Sequence, residues 1–364
     1  MGAERPTLDT VARAAGVSKA TVSKVLNGRG DVAPETRVRV QASIDALGYV
    51  PSTGRRVHGT APTVTVLFDA FVNLYSAQVL SGVVTAGIEL GADVVVTHLP
   101  GADGPQALTP AWFRELAAKG HLGLIVVTTE VRPDQVRACA DAGLGLVAID
   151  PVSIDPSTTD QLVSVSATNW SGGLQATEHL LSLGHRRIGF AGGLPASRPA
   201  QQRLHGHLAA LSSHGVKTDD ELILKVGFSY DDGRSMAARL LDLPNPPTAV
   251  VAGCDASALG VMQEARQRGL RLPEDLSIIG FDDTYAAEWA SPQLTTVRQP
   301  MREMGRVALR TLLGLARGHR PETHHFELAT TLVERSSTAA PRPGGDAVHH
   351  RWLADQPRPD TGGL

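Results

Sequence analysis

The segment from residue 7 to residue 51 has the sequence TLDTVARAAGVSKATVSKVLNGRGDVAPETRVRVQASIDALGYVP. Its apolar spacing predicts three short amphipathic helices, over about residues 8–15, 19–26 and 34–47. Thr7 and Ser18 are the N-caps expected for the first two, and Pro34 suits the first position of the third. Only three residues separate the first two helices, which is the length of a helix-turn-helix connection.

The second helix carries a polar face opposite its apolar residues Val22 and Val25. Short and basic side chains of this kind suit a DNA major groove, where lysine reaches guanine O6 and N7. The alternative is a three-helix bundle whose charged face is merely solvated. The exposed polar set is Lys19, Ala20, Thr21, Ser23, Lys24 and Asn27.

Charge is divided unevenly along the 364 residues. Nine basic and five acidic residues give positions 1–59 a net charge of +4, which leaves −7 for the remainder of a chain whose total is −3. A small basic head on a larger acidic body indicates a polyanion-binding module.

Several classes of protein are disfavoured by composition. No apolar run approaches the ~18 residues of a membrane span, so no membrane partner is expected. The N-terminus lacks the order of a signal peptide, and Cys139 and Cys254 form no framework or metal pair, so we expect a cytoplasmic protein.

From residue 62 onward, short β-branched runs alternate with amphipathic helical stretches, which predicts an α/β body with parallel sheets. The runs could form one wide sheet or two smaller ones, and we favour two lobes with a cleft between them. We predict a head over residues 1–50, a linker over 51–61, a body over 62–336 and a disordered tail over 337–364. The runs cover residues 63–68, 93–99, 123–129, 145–150, 162–168, 186–193, 222–227, 249–254 and 276–283.

Carboxylates follow several of these runs, at Asp69, Asp150, Asp255, Asp282 and Asp283. Carboxylates beside an aromatic face are typical of a sugar site, because they accept paired hydroxyl hydrogen bonds. Asp150 and Asp283 could instead be turn residues.

Motifs for other chemistries are absent from the sequence. It contains no GxGxxG or GxxxxGK[ST] loop, no GxSxG elbow and no HExxH pair, so we expect no catalytic residue and no cofactor. The His324-His325 and His349-His350 pairs lack further ligands at metal-binding spacing, so no metal is expected.

The sequence resembles the lactose-repressor (LacI/GalR) family. The head contains VA-x-x-AGVS-x-x-TVS-x-VLN, TR-x-x-V and LGY-x-P, and the body contains ATEHLLSLGHRRIGFAGG, RLHGHLAAL and IIGFDDTYAAEWASPQLTTVRQP. The resemblance covers roughly residues 7–336. It implies an all-α helix-turn-helix headpiece followed by a periplasmic-binding-protein-like body of two Rossmann-like lobes.

By this resemblance, Lys19 and Ala20 read operator bases, with Lys24 one turn further on. His58 matches the leucine that enters the minor groove in the family, and Gly54 and Gly59 weaken the helix expected around it. The hinge is therefore where this sequence departs from the family pattern. The DNA-contacting positions implied are Thr7, Ser18, Lys19, Ala20, Thr21, Ser23, Lys24, Asn27, Arg55, Arg56 and His58.

The resemblance also implies an effector pocket, in which Arg203 and Asp282 match the ligand-binding arginine and aspartate and Gln299 lies on a crossover strand. Trp289 could stack on a pyranose or could pack between lobes, and Arg203 could pair with a structural carboxylate. Cys254 replaces the usual Asn or Ser. The implied pocket residues are Asp69, Tyr75, Asn169, Arg203, Phe228, Asp255, Asp282, Trp289 and Gln299.

These features predict a homodimeric, sugar-responsive repressor of carbohydrate-utilisation genes that binds a pseudo-palindromic double-stranded DNA operator. A solute-binding receptor without a DNA role is the first alternative, and the basic head disfavours it. A sugar-modifying enzyme is the second, but no nucleophile with its base is recognisable.

Overall fold

The computed structural model describes residues 7–26, 32–47, 61–68, 73–98, 108–319 and 321–342. The chain forms two compact units, Met1–Pro62 and Thr63–Leu364, and each is described by itself.

The first unit contains the three predicted helices, α1 (Leu8–Ala15), α2 (Lys19–Leu26) and α3 (Pro34–Leu47). Thr7 caps α1 by accepting from the backbone N–H of Thr10, and Gly16 ends it with a left-handed φ of 64°. Ser18 accepts from the N–H of Thr21 and so caps α2. The small core consists of Val11, Ala12, Ala15, Val22, Val25, Val40 and Ile44.

Lobe 1 of the second unit is built on a parallel sheet in the order β11-β5-β4-β3-β1-β2. Helices α4 and α12 cover one face of this sheet, and α5 and α6 cover the other. Its strands are β1 (Thr63–Phe68), β2 (Asp93–His98), β3 (His121–Val127), β4 (Gly145–Ile149), β5 (Val163–Ala167) and β11 (His325–Leu328). Its helices are α4 (Leu74–Leu90), α5 (Pro110–Ala118), α6 (Pro133–Asp141) and α12 (Met301–Ala316).

Lobe 2 has a second sheet in the order β12-β10-β9-β8-β6-β7, in which only the β10–β12 pair is antiparallel. Helices α7 and α8 cover one face, and α9 and α10 cover the other. Its strands are β6 (Ile188–Gly192), β7 (Ile223–Lys225), β8 (Ala249–Ala252), β9 (Ser277–Asp282), β10 (Thr295–Arg298) and β12 (Thr331–Val333). Its helices are α7 (Asn169–Ser182), α8 (Arg198–Ser213), α9 (Tyr230–Leu241), α10 (Asp255–Gln267) and α11 (Tyr285–Trp289).

The chain passes between the lobes three times, after β5, after β10 and after β11. Two of these passages are joined by hydrogen bonds, because the Thr168 and Thr330 hydroxyls lie 3.0 Å apart and the Thr330 N–H donates to Thr168 Oγ1 at 2.9 Å. The two-lobed arrangement predicted for the body is therefore confirmed.

The structure departs from the sequence prediction near the C-terminus. Residues 337–342, predicted to be disordered, pack on lobe 2. Ser337 Oγ donates to the Ile278 carbonyl at 2.6 Å, the Ala339 carbonyl lies 2.9 Å from His185 Nε2, and Arg342 pairs with Asp275 at 2.9 Å. The prediction rested on the high Pro, Gly and Ala content of the tail, and these hydrogen bonds order residues 337–342 despite that composition. Residues 343–364 lie outside the described part.

Over the described ranges, no helix combines the length and the apolar character needed to cross a membrane.

Candidate functional site

The face of α2 that was predicted to contact DNA is turned away from the core of the first unit. Lys19, Ala20 and Lys24 are exposed and Thr21 and Ser23 are half-buried, whereas Val22 and Val25 are buried. Lys19 Nζ forms an exposed ion pair with Asp9 Oδ2 of α1 at 2.7 Å. The first residue of α2 and the first turn of α1 therefore share one surface.

Other predicted DNA contacts have helix-capping roles or fall outside the described residues. Thr7 and Ser18 are exposed and cap α1 and α2. Four predicted DNA contacts lie outside the described residues, as does the pocket candidate Asp69: they are Asn27, Arg55, Arg56 and His58.

In the second unit, the lobe 1 side of the cleft is formed by Tyr75 at the start of α4 and Asp150 directly after β4. Tyr75 Oη donates to Asp150 Oδ2 at 2.6 Å, and Asp150 Oδ1 has no hydrogen-bond partner among the residues that the structure describes. Burial raises the pKa of the Asp150 carboxyl, and burial together with Asp150 raises the pKa of the Tyr75 hydroxyl. The left-handed φ of Asp150, 43°, is that of a turn residue, which is one of the two roles considered for it.

On the lobe 2 side, the centre is the buried guanidinium of Arg203 on α8. Its Nε donates to Asn169 Oδ1 at 2.8 Å and its Nη1 donates to the Gly253 carbonyl at 2.5 Å. The guanidinium carbon lies 3.9 Å from the ring centroid of Phe281 and 6.0 Å from that of Phe228. The cation is thus held between acceptors on its edge and aromatic rings on its faces.

Asp282 ends β9 beside this arginine. Arg203 Nη1 lies 3.9 Å from Asp282 Oδ1, which also accepts from Gln299 Nε2 at 2.6 Å. Gln299 lies where the chain passes from β10 to α12, and its buried Oε1 has no hydrogen-bond partner within the described part of the chain. The left-handed φ of 118° at Asp282 is backbone strain of the kind found at binding sites.

The charged groups on the two sides of the cleft are close enough to change each other's pKa. Burial raises the pKa of Asp282 to about 8, the charge of Arg203 opposes this rise, and Asp150 in the other lobe adds to it. Arg203 likewise lowers the pKa of Asp150 across the cleft. The structure therefore brings together Tyr75, Asn169, Arg203, Phe228, Asp282 and Gln299 among the predicted pocket residues, with Asp150 in addition.

Asp255 is engaged within lobe 2 rather than presented to the cleft. Its Oδ2 accepts from the N–H and hydroxyl of Thr284 at 2.7 and 2.9 Å, and its Oδ1 accepts from the Thr296 hydroxyl at 2.6 Å. Asp255 thus ties the loop after β9 to β10.

Trp289 and Cys254 also differ from the pocket residues in their surroundings. Trp289 is 75% exposed and stacks on Tyr285 with ring centroids 5.9 Å apart, so it does not pack between the lobes. Cys254 Sγ donates to the Phe228 carbonyl at 3.0 Å, and burial raises the pKa of its thiol to about 12. Asp283, predicted as a turn residue, pairs with Arg298 and Arg335 at 2.6 Å each.

Sequence reasoning gave Phe281 no role in the site. Every residue of β9 is buried, so no alternation of polar and apolar residues marks which side chain faces the cleft. Its position directly before Asp282 is the only signal that could have drawn attention to it.

For metals, the described ranges contain no group of three or more His, Cys, Asp or Glu side chains that could hold an ion. His325 Nδ1 lies instead 2.9 Å from the Ser164 hydroxyl. His349 and His350 lie outside those ranges.

Two family models match the chain. One, described as bacterial regulatory proteins of the lacI family, matches residues 7–52. The other, described as a periplasmic binding protein-like domain, matches residues 177–338.

Known proteins resemble the chain over nearly its whole length. The HTH-type transcriptional regulator DegA of Bacillus subtilis (strain 168) is 33% identical over 342 residues, which cover 92% of this chain and 98% of DegA. A solved complex of the transcriptional regulator CelR with cellobiose matches with a TM-score of 0.69 and 32% identity, over 92% of this chain and 100% of that one. The Lac repressor dimer bound to operator and the anti-inducer ONPF matches with a TM-score of 0.74 and 27% identity, over 93% and 100%.

Proposed function

This chain belongs to the LacI family of bacterial regulatory proteins, and on that basis we propose that it represses carbohydrate-utilisation genes under the control of a sugar. It is a DNA-binding transcriptional regulator with a helix-turn-helix headpiece and a ligand-binding body. The proposal adds that the effector is a sugar or sugar derivative that binds in the cleft and changes operator affinity in the cytoplasm.

The observation that carries the proposal is the buried polar cluster between the lobes. Asp150 and Tyr75 belong to one lobe, and Arg203 and Asp282 belong to the other. A ligand held between them would favour one degree of lobe closure. If that closure is coupled to operator binding, ligand and DNA must change each other's affinity by the same factor, typically ~1–3 kcal/mol.

For DNA, we propose that Lys19 and Lys24 read guanine edges and that Ala20 meets a thymine methyl. The remaining headpiece contacts are proposed to go to phosphates, and they position the helix without specifying sequence. His58 would stand where the family places its minor-groove leucine.

The operator is proposed to be bound by two copies of this chain. Helix α4 exposes Val84, Ile88 and Leu90, and the neighbouring edge strand β2 exposes Val95 and Val96. Exposed apolar side chains on a helix and on the edge strand beside it are typical of an interface. A second copy is its proposed occupant, in line with the dimer of the related Lac repressor.

The alternative functions find less support. The relatives are regulators rather than enzymes, and the match to a lacI family headpiece disfavours a receptor that has no role on DNA. The related regulator CelR forms a complex with cellobiose, which supports a sugar as the effector of this chain.

Selection of bound duplexes from a random DNA library, followed by footprinting, tests the operator claim. We expect a pseudo-palindrome whose half-sites lie about one helical turn apart, 10–10.5 base pairs. A gel shift on that site with and without candidate sugars then tests control by the effector. No enrichment of any sequence at low salt would overturn the proposal.

A further inference from the structure

The acidic residue Asp9 on α1 shares the surface of the first residue of α2, from which the headpiece is proposed to read DNA. Its Oδ2 lies 2.7 Å from the ammonium nitrogen of Lys19, and the two side chains are 54% and 60% exposed. A carboxylate at this place opposes binding to a polyanion, because it brings a like charge to the phosphates. Any benefit of Asp9 on DNA must therefore come through specificity rather than through affinity.

The ion pair is not what forms either helix. At the start of α1, the Thr7 N–H donates to Thr10 Oγ1 at 2.6 Å and the Thr10 N–H donates to Thr7 Oγ1 at 3.3 Å. At the start of α2, the Thr21 N–H donates to Ser18 Oγ at 3.1 Å. Both caps are thus made by hydroxyl groups, and an exposed ion pair adds little to stability.

The ion pair does restrict the Lys19 ammonium. A lysine side chain carries a compact charge on a flexible four-carbon stem, and without restraint it can reach phosphates as readily as bases. A lysine that is already held by Asp9 loses less freedom when it meets a base, which lowers the entropy cost of a specific contact. The ammonium has three N–H donors, so one can stay on Asp9 while the other two go to guanine O6 and N7.

Specific and non-specific DNA complexes make different use of this pair. Where a guanine faces Lys19, the ammonium can bond the base and still neutralise Asp9. Where no guanine is present, the ammonium can reach a phosphate only by leaving Asp9, and the carboxylate is then uncompensated against a negative surface. A charge left unpaired in the wrong complex raises specificity even though it lowers affinity.

We propose that Asp9 is a positioning residue of the DNA-reading surface, which directs the Lys19 ammonium to base edges and penalises its use on phosphates. The ion pair between α1 and α2 is the observation that carries this inference. The inference rests on the proposed function, because it takes Lys19 to read operator bases. It extends that proposal, in which α2 alone reads sequence.

Gel-shift titration of Asp9→Asn with the selected operator and with a scrambled duplex tests the inference. Asparagine keeps the shape of the side chain but removes its charge, so the lysine becomes available to phosphates. We expect affinity for the scrambled duplex to rise at least fivefold and discrimination between the duplexes to fall at least threefold. The plot of log affinity against log salt for the scrambled duplex should steepen by about 0.9, the value for one added phosphate contact. Unchanged or increased discrimination overturns the inference.

Glu35→Gln is the matched control for the change in charge. Glu35 is an exposed carboxylate in the first turn of α3, in the same unit of the chain. Its replacement changes the charge of the headpiece by the same amount and should leave discrimination unchanged. An equal loss of discrimination in Glu35→Gln, with both variants shown to be folded by circular dichroism, would make net charge the cause and overturn the inference.

A double-variant cycle with Lys19→Ala tests whether Asp9 acts through Lys19. In the Lys19→Ala chain, Asp9→Asn should not reduce discrimination further and should not steepen the salt dependence. A loss of threefold or more in both backgrounds would mean that Asp9 acts without Lys19, which contradicts a positioning role. Unimpaired discrimination by Lys19→Ala alone contradicts it as well.

The selection of duplexes separates this inference from the proposed function. A chain that enriches no duplex loses both. A chain that selects an operator, and whose Asp9→Asn variant discriminates as well as the unsubstituted protein does, keeps the function and loses the inference.

Discussion

The expected effect of substituting a basic side chain in this protein depends on its burial and its partners, as Lys19 and His207 illustrate. The ammonium of Lys19 rests on Asp9 at an exposed surface, where an ion pair contributes little to stability. The imidazole of His207 is 1% exposed, its Nδ1 lies 2.9 Å from the Thr177 hydroxyl, and its Nε2 has no hydrogen-bond partner in the described ranges. Each environment predicts a different consequence of substitution.

Lys19→Ala should relax the sequence preference of the headpiece. Loss of a base-reading lysine should reduce discrimination between selected and scrambled duplexes by ~1–3 kcal/mol, while affinity for scrambled DNA falls much less. Gel-shift titration of both duplexes measures this. Lys119→Ala is the matched control, because Lys119 is also exposed and paired at 2.7 Å, but with Glu115 on lobe 1. If Lys19→Ala discriminates between the two duplexes as well as the unsubstituted protein does, Lys19 does not read operator bases.

His207 should make the body sensitive to acid. Burial lowers the pKa of its imidazole from 6.5 to about 4, so as pH falls through this window the unfolded chain takes up a proton that the folded chain refuses. Stability that is present above pH 6.5 should therefore be lost by about pH 4, by ~3 kcal/mol from this group alone.

Urea unfolding at pH 7 and pH 4 measures this loss. In His207→Gln the difference between the two pH values should shrink by about the same ~3 kcal/mol, because glutamine does not titrate in this range. His205→Gln, on the same helix but exposed, should keep the difference of the unsubstituted protein. An equal acid loss in His207→Gln would show that another group is responsible.

Helices and strands were predictable to very different degrees. The three helices of the first unit were predicted at their observed bounds, because caps and stops such as Thr7, Ser18 and Gly16 are local signals. Strands such as β1 and β9 were found because continuous β-branched runs are typical of parallel sheets. Strands β10, β11 and β12 were not among the runs identified from the sequence, since TTVR, HFEL and TLV are only three or four residues long. The family resemblance placed Gln299 on a crossover strand, but β10 ends one residue earlier, at Arg298.

The residues of the candidate site were likewise only partly predictable from the sequence. Arg203 and Asp282 came from the family resemblance, and the structure brings them to 3.9 Å. The hydrogen bond between Tyr75 and Asp150 joins residues 75 positions apart, and no periodicity encodes such a pairing. The exposure of Trp289 could not be predicted from the sequence either, because a single aromatic residue near a turn is not part of an apolar periodicity that would indicate burial.

Close packing between α7 and α8 predicts a sensitive glycine. A Cβ on Gly173 would lie 2.1 Å from the Arg203 carbonyl oxygen, so Gly173→Ala must push α8 outward. We expect a loss of ~1–3 kcal/mol in stability and weaker effector binding, since Arg203 moves with α8.

Gly314→Ala on α12 provides the contrast. The atom nearest to its added Cβ is 3.9 Å away, so it should gain ~0.5–1 kcal/mol from helix propensity. Thermal and urea unfolding of the two variants compares them. Equal stability of Gly173→Ala and the unsubstituted protein would mean that the two helices separate freely.

The molecule as a whole has two lobes whose connections run side by side. Lobe closure must bend all three passages together, and the hydrogen bonds between Thr168 and Thr330 make two of them move as one. Lobe closure is also connected to the exposed apolar side chains of α4, because α4 packs on α12, the helix that follows the second passage. The packing is close, since a Cβ on Gly82 of α4 would lie 1.9 Å from the Arg302 carbonyl oxygen of α12.

Ile88→Glu should separate the proposed dimer. Ile88 is 79% exposed on α4, and a glutamate there would bury a charge against the second copy. Light scattering should show a monomer, and operator affinity should fall because two linked headpieces bind far better than one. Val38→Glu, at a residue 70% exposed on α3, should remain dimeric. A dimeric Ile88→Glu would place the interface elsewhere.

The ordered C-terminal residues determine where the coding sequence can be shortened. A stop codon after residue 336 would remove the hydrogen bonds that Ser337 and Ala339 make to Ile278, Ser277 and His185. A stop codon after residue 342 would spare all of these bonds. Frameshifts and truncations that remove residues 337–342 should therefore destabilise lobe 2, and urea unfolding of a chain that ends at residue 336 measures this loss.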